Sequence, residues 1–352
     1  MDELRVAFSL LAETLSPRRM NQILKQFSLG QVFSESKQVL ARFPLPDSTY
    51  RLLAQPDERQ IREIIGWCQA EGAEMLWRGE SGYPPRLEAL ADPPPFLYAQ
   101  GKVKILEQDA MAVVGTRRPT AYGRQATFRL SADLARAGLV IVSGLARGLD
   151  TEAHKAALEE TGLTVAVLGS GLQKVYPQEN KNLASRILDS GCLLAEVAPP
   201  VGPMPWRFVA RNRILAALAL GVLVVEAGEK SGALITADFA LDLGLEVFAV
   251  PGSIFAAQSQ GCLRLLQEGA KLVRTAEDVL QELGLASPPA QPSLILSEEE
   301  ERVHALLQDG PLGLDELIQQ SGLAAAQILA LLTLLEVKGA ICPLPGRFYC
   351  QT

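Results

Sequence analysis

Histidine is nearly absent from this chain: His154 and His304 are the only two in 352 residues. That scarcity removes most chemistry built on imidazole, including three-histidine metal sites and serine triads, and the G-x-S-x-G elbow is missing as well. Cysteine is scarce too. Cys68, Cys192, Cys262, Cys342 and Cys350 show no C-x-x-C spacing, so neither a zinc site nor a disulfide frame is expected. We therefore assign no catalytic residue, metal or cofactor, and expect a reducing, cytoplasmic setting. Long apolar runs are also lacking. The longest, 214–225, has 12 residues, against roughly 20 needed to span a bilayer. The N-terminus, MDELRVAFSLLAETLSPRRM, is acidic at once and lacks the basic start of a signal peptide, so no membrane partner is expected.

Positive charge is in deficit overall, at a net −7, which taken alone argues against a nucleic-acid partner. Its distribution reverses that reading. Residues 111–275 hold 17 Lys/Arg against 14 Asp/Glu, whereas 276–352 hold three against 11. Only the centre of the chain carries a basic excess.

What is present is a regular alternation. At this length one hydrophobic core does not suffice, so two or three domains are expected. Residues 1–75 show helical periodicity broken at 15–17 and 43–47, and read as a small helical (SAM-like) domain. Prolines at 84–85 and 93–95 impose an extended, irregular connection ending in a strand-like stretch at 95–98. From 111 on, apolar strands alternate with helix-length segments: 111–114, 139–142, 164–168, 192–195, 221–226, 246–250 and 271–273. The runs are mostly apolar rather than alternating, as strands buried on both faces are. The α/β pattern predicts a doubly wound, mostly parallel sheet over 76–283. A proline-rich linker at 284–296 follows. Three helical stretches and a hairpin-like end, CPLPGRFYC, then make 297–352 a winged-helix domain.

In an open parallel sheet, ligands bind beyond the carboxyl ends of the strands. After the first strand stands Gly115-Thr116-Arg117-Arg118, which fails the dinucleotide fingerprint because Arg117 occupies the place of a glycine. The second strand leads into Ser143-Gly144-Leu145-Ala146-Arg147, the third into Gly169-Ser170-Gly171-Leu172-Gln173-Lys174, and the fifth into Gly228-Glu229-Lys230. Small residues plus a cation on each loop describe a polyanion groove. Arg211-Asn212-Arg213 is expected to open the helix before the fifth strand, with one arginine bridging inward and the other facing the groove. Tight turns need glycines in any such fold, and Arg147 has Asp150 and Glu152 as possible partners. His154 is expected to pack or cap, and Ser231 to be a helix N-cap.

The motifs VVGTRRPTAYG (113–123), SGLARGLDTEAHKAAL (143–158), TVAVLGSGLQKVYPQEN (164–180), RNRILAAL (211–218), GVLVVEAGEKSGALITADFA (221–240), VFAVPGS (247–253) and GAKLV (269–273) occur in order. Together they resemble the DNA-processing protein A (DprA/Smf) family. The resemblance implies an extended Rossmann-like core that binds single-stranded DNA as a homodimer. It further implies protection of incoming strands and loading of the RecA recombinase in natural transformation and recombination, with no chemical reaction. Arg117, Arg147, Lys174, Arg211 and Arg213 match the family's DNA-binding surface, and Asn180, closing the third motif, joins the candidates. The alternative is a nucleotide hydrolase of the phosphoribohydrolase type, which 221–240 distantly resembles. That stretch lacks the expected carboxylate at 231–236, leaving Glu226 and Glu229 as substitutes. The winged helix carries three cations against eight acids, so it is expected to contact protein rather than DNA.

Overall fold

Proline-free apolar segments become the strands of one large sheet. The computed structural model describes residues 1–35, 38–39, 42–43, 45–286, 296–308, 310–344 and 346–351. Most of the expected linker (287–295), Pro44 of the expected break and Pro345 of the expected wing turn lie outside these residues. The strands are β1 (Ala73–Trp77), β2 (Phe96–Gly101), β3 (Ala110–Val114), β4 (Val140–Ser143), β5 (Thr164–Leu168), β6 (Cys192–Ala195), β7 (Gly221–Val224), β8 (Glu246–Ala249) and β9 (Lys271–Leu272). Their order is β1-β2-β6-β5-β4-β3-β7-β8-β9. All pairs among β3 to β9 are parallel, while β2 pairs antiparallel with both β1 and β6. The stretch before 110 is thus no irregular connection throughout, since it adds two antiparallel strands to one edge. Its prolines fall between them, where Tyr83 Oη donates to the Pro94 carbonyl at 2.7 Å and ties the connection together.

Successive side chains of a strand face opposite sides, and both sides are covered. Ala112, Val114, Val140 and Val222 join a core with the helices Pro205–Leu218 and Gly232–Asp242. Met111, Val113, Ile141 and Leu223 face Leu130, Leu134, Ala153 and Val279 of the helices Ala121–Arg136, Leu149–Glu160 and Ala276–Glu282. A third core joins the N-terminal helices to the antiparallel end of the sheet. Phe8, Leu11, Met20 and Ile64 pack there with Phe96, Tyr98, Leu168 and Leu193. Ser9 Oγ and Tyr98 Oη share a hydrogen bond of 2.7 Å in this layer. Residues 1–287 accordingly form one compact unit.

Residues 288–352 form the second unit. The helices Glu298–Leu306, Leu314–Ser321 and Ala325–Val337 enclose Val303, Leu317, Ile328, Leu332 and Leu335. A three-stranded sheet of β10 (Leu312–Gly313), β11 (Ile341–Leu344) and β12 (Phe348–Gln351) completes a winged helix, in the order β10-β12-β11. No single helix among the described residues is long and apolar enough to cross a membrane.

Candidate nucleic-acid interface

Strand order reverses at β3, with β4 on one side and β7 on the other, so the loops after β3 and β7 diverge and leave a crevice. A cleft of about 610 Å³ opens there. Thr116 N–H donates to the Glu226 carbonyl at 2.7 Å, joining the two loops across the reversal. Glu226 itself is buried. Its carboxylate accepts from Thr120 N–H at 2.9 Å and Thr120 Oγ1 at 2.7 Å, and Thr120 Oγ1 in turn caps the helix at Gly123 N–H. The carboxylate considered for hydrolysis is therefore engaged as a brace for a helix start. Glu229 lies exposed on the β7 loop.

The cleft brings together Gly115, Thr116, Arg117, Arg211, Asn212 and Lys230 of the expected residues, and adds Arg118 and Ser231. Arg117, Arg118 and Lys230 are exposed. The Arg117 guanidinium sits over the Phe208 ring, 5.7 Å from its centroid, a cation–π contact that steadies it at the rim. Ser231 caps the helix Gly232–Asp242 through Ala233 N–H.

The loop after β4 is organised from within. Asp150 Oδ2 accepts from the N–H groups of Gly144 at 3.1 Å and Ala146 at 3.3 Å, so the chain's own carboxylate fills the backbone cradle. Leu145 is held at φ 55°, a left-handed conformation costing a non-glycine residue on the order of 1 kcal/mol or more. Asn180 sustains it by donating from Nδ2 to the Leu145 carbonyl at 2.9 Å and to Thr151 Oγ1 at 2.9 Å. Ser143 Oγ donates to the Val113 carbonyl at 2.7 Å, within the sheet. His154 is fully buried against Thr164 Oγ1 at 2.7 Å, and that hydroxyl donates onward to the Ile141 carbonyl, which makes His154 Nδ1 the protonated nitrogen. Burial lowers its pKa to about 3.

Arg211 and Arg213 differ from expectation. The helix begins at Pro205, with proline in its first turn, so Arg211-Asn212-Arg213 lies in mid-helix and both arginines are buried. Arg211 donates from Nη1 to the carbonyls of Gly144, at 2.7 Å, and Val167, clamping the loop after β4 to the end of strand β5. Burial pushes its pKa down to about 10, against the pull of Asp150, and it stays a cation at neutral pH. Burial likewise raises the Asp150 carboxyl, opposed by Arg211. Asn212 accepts from Arg211 Nε and donates to the Gly232 carbonyl at 3.2 Å. Arg213 pairs with Glu196 on the far side of the helix.

The remaining expected residues lie outside the cleft lining. Arg147 pairs with Glu179 rather than Asp150 or Glu152, with both side chains about half exposed. Lys174 is exposed on the β5 loop. Several glycines serve packing: a side chain at Gly144 would strike the Arg211 guanidinium, at Gly169 the Phe208 ring, and at Gly171 the carbonyls of Ala198 and Pro199. Sequence reasoning missed Asp150 as the loop's anchor and Phe208 as the partner of Arg117.

A Rossmann-like α/β unit with a cationic cleft at its strand-order reversal, followed by a winged helix, defines the class. Residues 74–284 match the family model described as DNA recombination-mediator protein A, and 287–347 match the DprA winged helix domain. The chain belongs to the DprA family. It is 41% identical over 225 residues to the DNA processing protein DprA of Bacillus subtilis (strain 168), covering 64% of this chain and 76% of that relative. The X-ray structure of DprA from Streptococcus pneumoniae superposes with a TM-score of 0.70 at 33% identity, covering 80% of this chain and 98% of that one. A structure of DNA processing protein A from Helicobacter pylori, described for its single-stranded DNA binding mode, gives 0.55 at 33% identity, covering 60% and 95%.

Proposed function

We propose that this chain binds single-stranded DNA by its phosphates along the carboxyl edge of the large sheet, and acts by binding rather than by bond breaking. The observation that carries this is the cleft at the strand-order reversal. Arg117, Arg118 and Lys230 are exposed on its lining and Arg211 lies beneath. Among the described lining residues, the one carboxylate is Asp150, already engaged by two backbone N–H groups. Lys174 extends the track, as does Arg147, whose exposed pair with Glu179 opens at little cost. The exposed aromatics of the large unit, such as Tyr122, Tyr176 and Trp206, are few. Binding is then mainly electrostatic and tolerant of sequence. The Helicobacter pylori relative's single-stranded DNA binding supports the same reading. Within it, the chain works in the cytoplasm as a homodimer that protects incoming strands and hands them to the RecA recombinase.

Titration of labelled oligo-dT at several salt concentrations tests this. Log K falls with log salt at roughly −0.7 per phosphate contacted, and Arg117→Glu weakens binding by roughly tenfold and flattens the slope by about one contact. Salt-insensitive binding, or full affinity in Arg117→Glu, contradicts the proposal.

A further inference from the structure

The helix Pro205–Leu218 has a second cavity on its other flank. At 100° per residue, Phe208, Asn212 and Leu215 face the cleft, while Trp206, Ala210 and Arg213 face the opposite way, into a cavity of about 470 Å³. Arg211 stands at the seam and lines both. The volume falls in the range of small-ligand sites, roughly 300–1,000 Å³. Its apolar walls come from the N-terminal segment (Leu15 in a bend, Met20 in the helix Pro17–Leu24) and from the sheet (Phe96, Leu168).

Two donors in this region are buried without an acceptor: Arg213 Nη1 and Arg207 Nε. Arg213 is 6% exposed, and its other terminal nitrogen is taken by Glu196. Buried donors are almost always paired, so two orphans beside one cavity point to an occupant that accepts hydrogen bonds. The cavity is also lined by Glu13, Asp92 and Glu196, which balance its arginines and disfavour a phosphate. What fits is a flat, neutral ring with acceptors on one edge and donors on another.

We propose that this cavity seats a guanine base. Guanine offers O6 and N7 to arginine, the commonest specific pairing, and its ring N–H and amino groups suit the neighbouring carboxylates. The base comes either from a strand in the adjacent cleft, across Arg211, or from a free guanine nucleoside. The first source rests on the DNA-binding reading of the cleft, and the second stands without it.

Calorimetry on the full chain separates the cases. In one arm, deoxyguanosine, deoxyadenosine, deoxycytidine and thymidine are titrated. In the other, oligo-dT is compared with the same oligomer carrying one central dG. Guanine is favoured by roughly tenfold in at least one arm. The preference is lost in Ala210→Phe, which fills the cavity from a partly exposed helix position, and in Arg213→Gln. Arg117→Glu lowers oligomer affinity but leaves deoxyguanosine binding intact, so failure of the cleft reading shows separately. A dG preference confined to the oligomer assigns the base to the strand. No guanine preference in either arm, or one unchanged in Ala210→Phe, overturns the proposal.

Discussion

The carboxyl edge of the large sheet and the winged helix both have shapes suited to docking on nucleic acid, yet their surfaces are opposite. At the sheet edge Arg117, Arg118 and Lys230 stand exposed, while Asp150 and Glu226 are buried under backbone and hydroxyl donors and Glu229 is exposed beside Lys230. In the winged unit the longest helix exposes Leu329, Leu334 and Val337, the last at 80%. Lys338, just past its end, bonds to Glu300 at 2.6 Å, an interaction that holds the Glu300 carboxyl below its ordinary range. The difference teaches that architecture alone does not assign the binding surface. On the proposed reading, the edge whose cleft carboxylate is buried beneath cations is the anion site, and the unit whose longest helix exposes leucines is not.

That contrast breaks most severely at Asp150. Asp150→Ala leaves Arg211 buried without its counter-charge and two N–H groups without an acceptor, so urea unfolding shows a loss of about 3–5 kcal/mol, with oligo-dT binding lost alongside. Acid acts on the same unit through His154. Its folded pKa of about 3 lies below the ordinary 6.5, so the unfolded chain takes up a proton that the folded chain refuses. The associated stability is present above pH 6.5 and is lost as pH falls toward 3. Relative to His154→Gln, the wild type loses about 2 kcal/mol between pH 7 and pH 5, read from denaturant midpoints at each pH.

Smaller effects sharpen the comparison. Ending the chain at residue 286 removes the acidic winged helix and changes oligo-dT affinity by less than about threefold, with the salt slope unaltered. Glu179→Gln frees Arg147 from its exposed partner and raises affinity by about twofold at low salt, an increase that disappears at high salt.

Much of the sheet was legible because buried parallel strands are mostly apolar, as in β5 and β6. β1 was not. Its sequence, AEMLW, follows the helix Glu58–Glu71 after only Gly72 and is interrupted by the exposed Glu74, so it lacks the apolar run that marks the other strands. The start of the helix carrying Arg211 is signalled by Pro205, but its continuous apolar run begins only at 214, so the sequence places the helix start at Arg211, too far downstream. Loop cations were visible as residue types, and their fates were not. Whether an arginine reaches solvent or clamps two carbonyls depends on partners such as Gly144 and Val167, 67 and 44 residues away. The glycines were expected near an anion, yet Gly144 and Gly169 are small because Arg211 and Phe208 press against them.

Amide hydrogen exchange with and without saturating oligo-dT compares the two surfaces in one experiment. Binding at the sheet edge slows exchange in the loops at 115–118 and 228–232 and leaves 325–344 unchanged. Protection concentrated at 325–344, with none at 115–118, would contradict it.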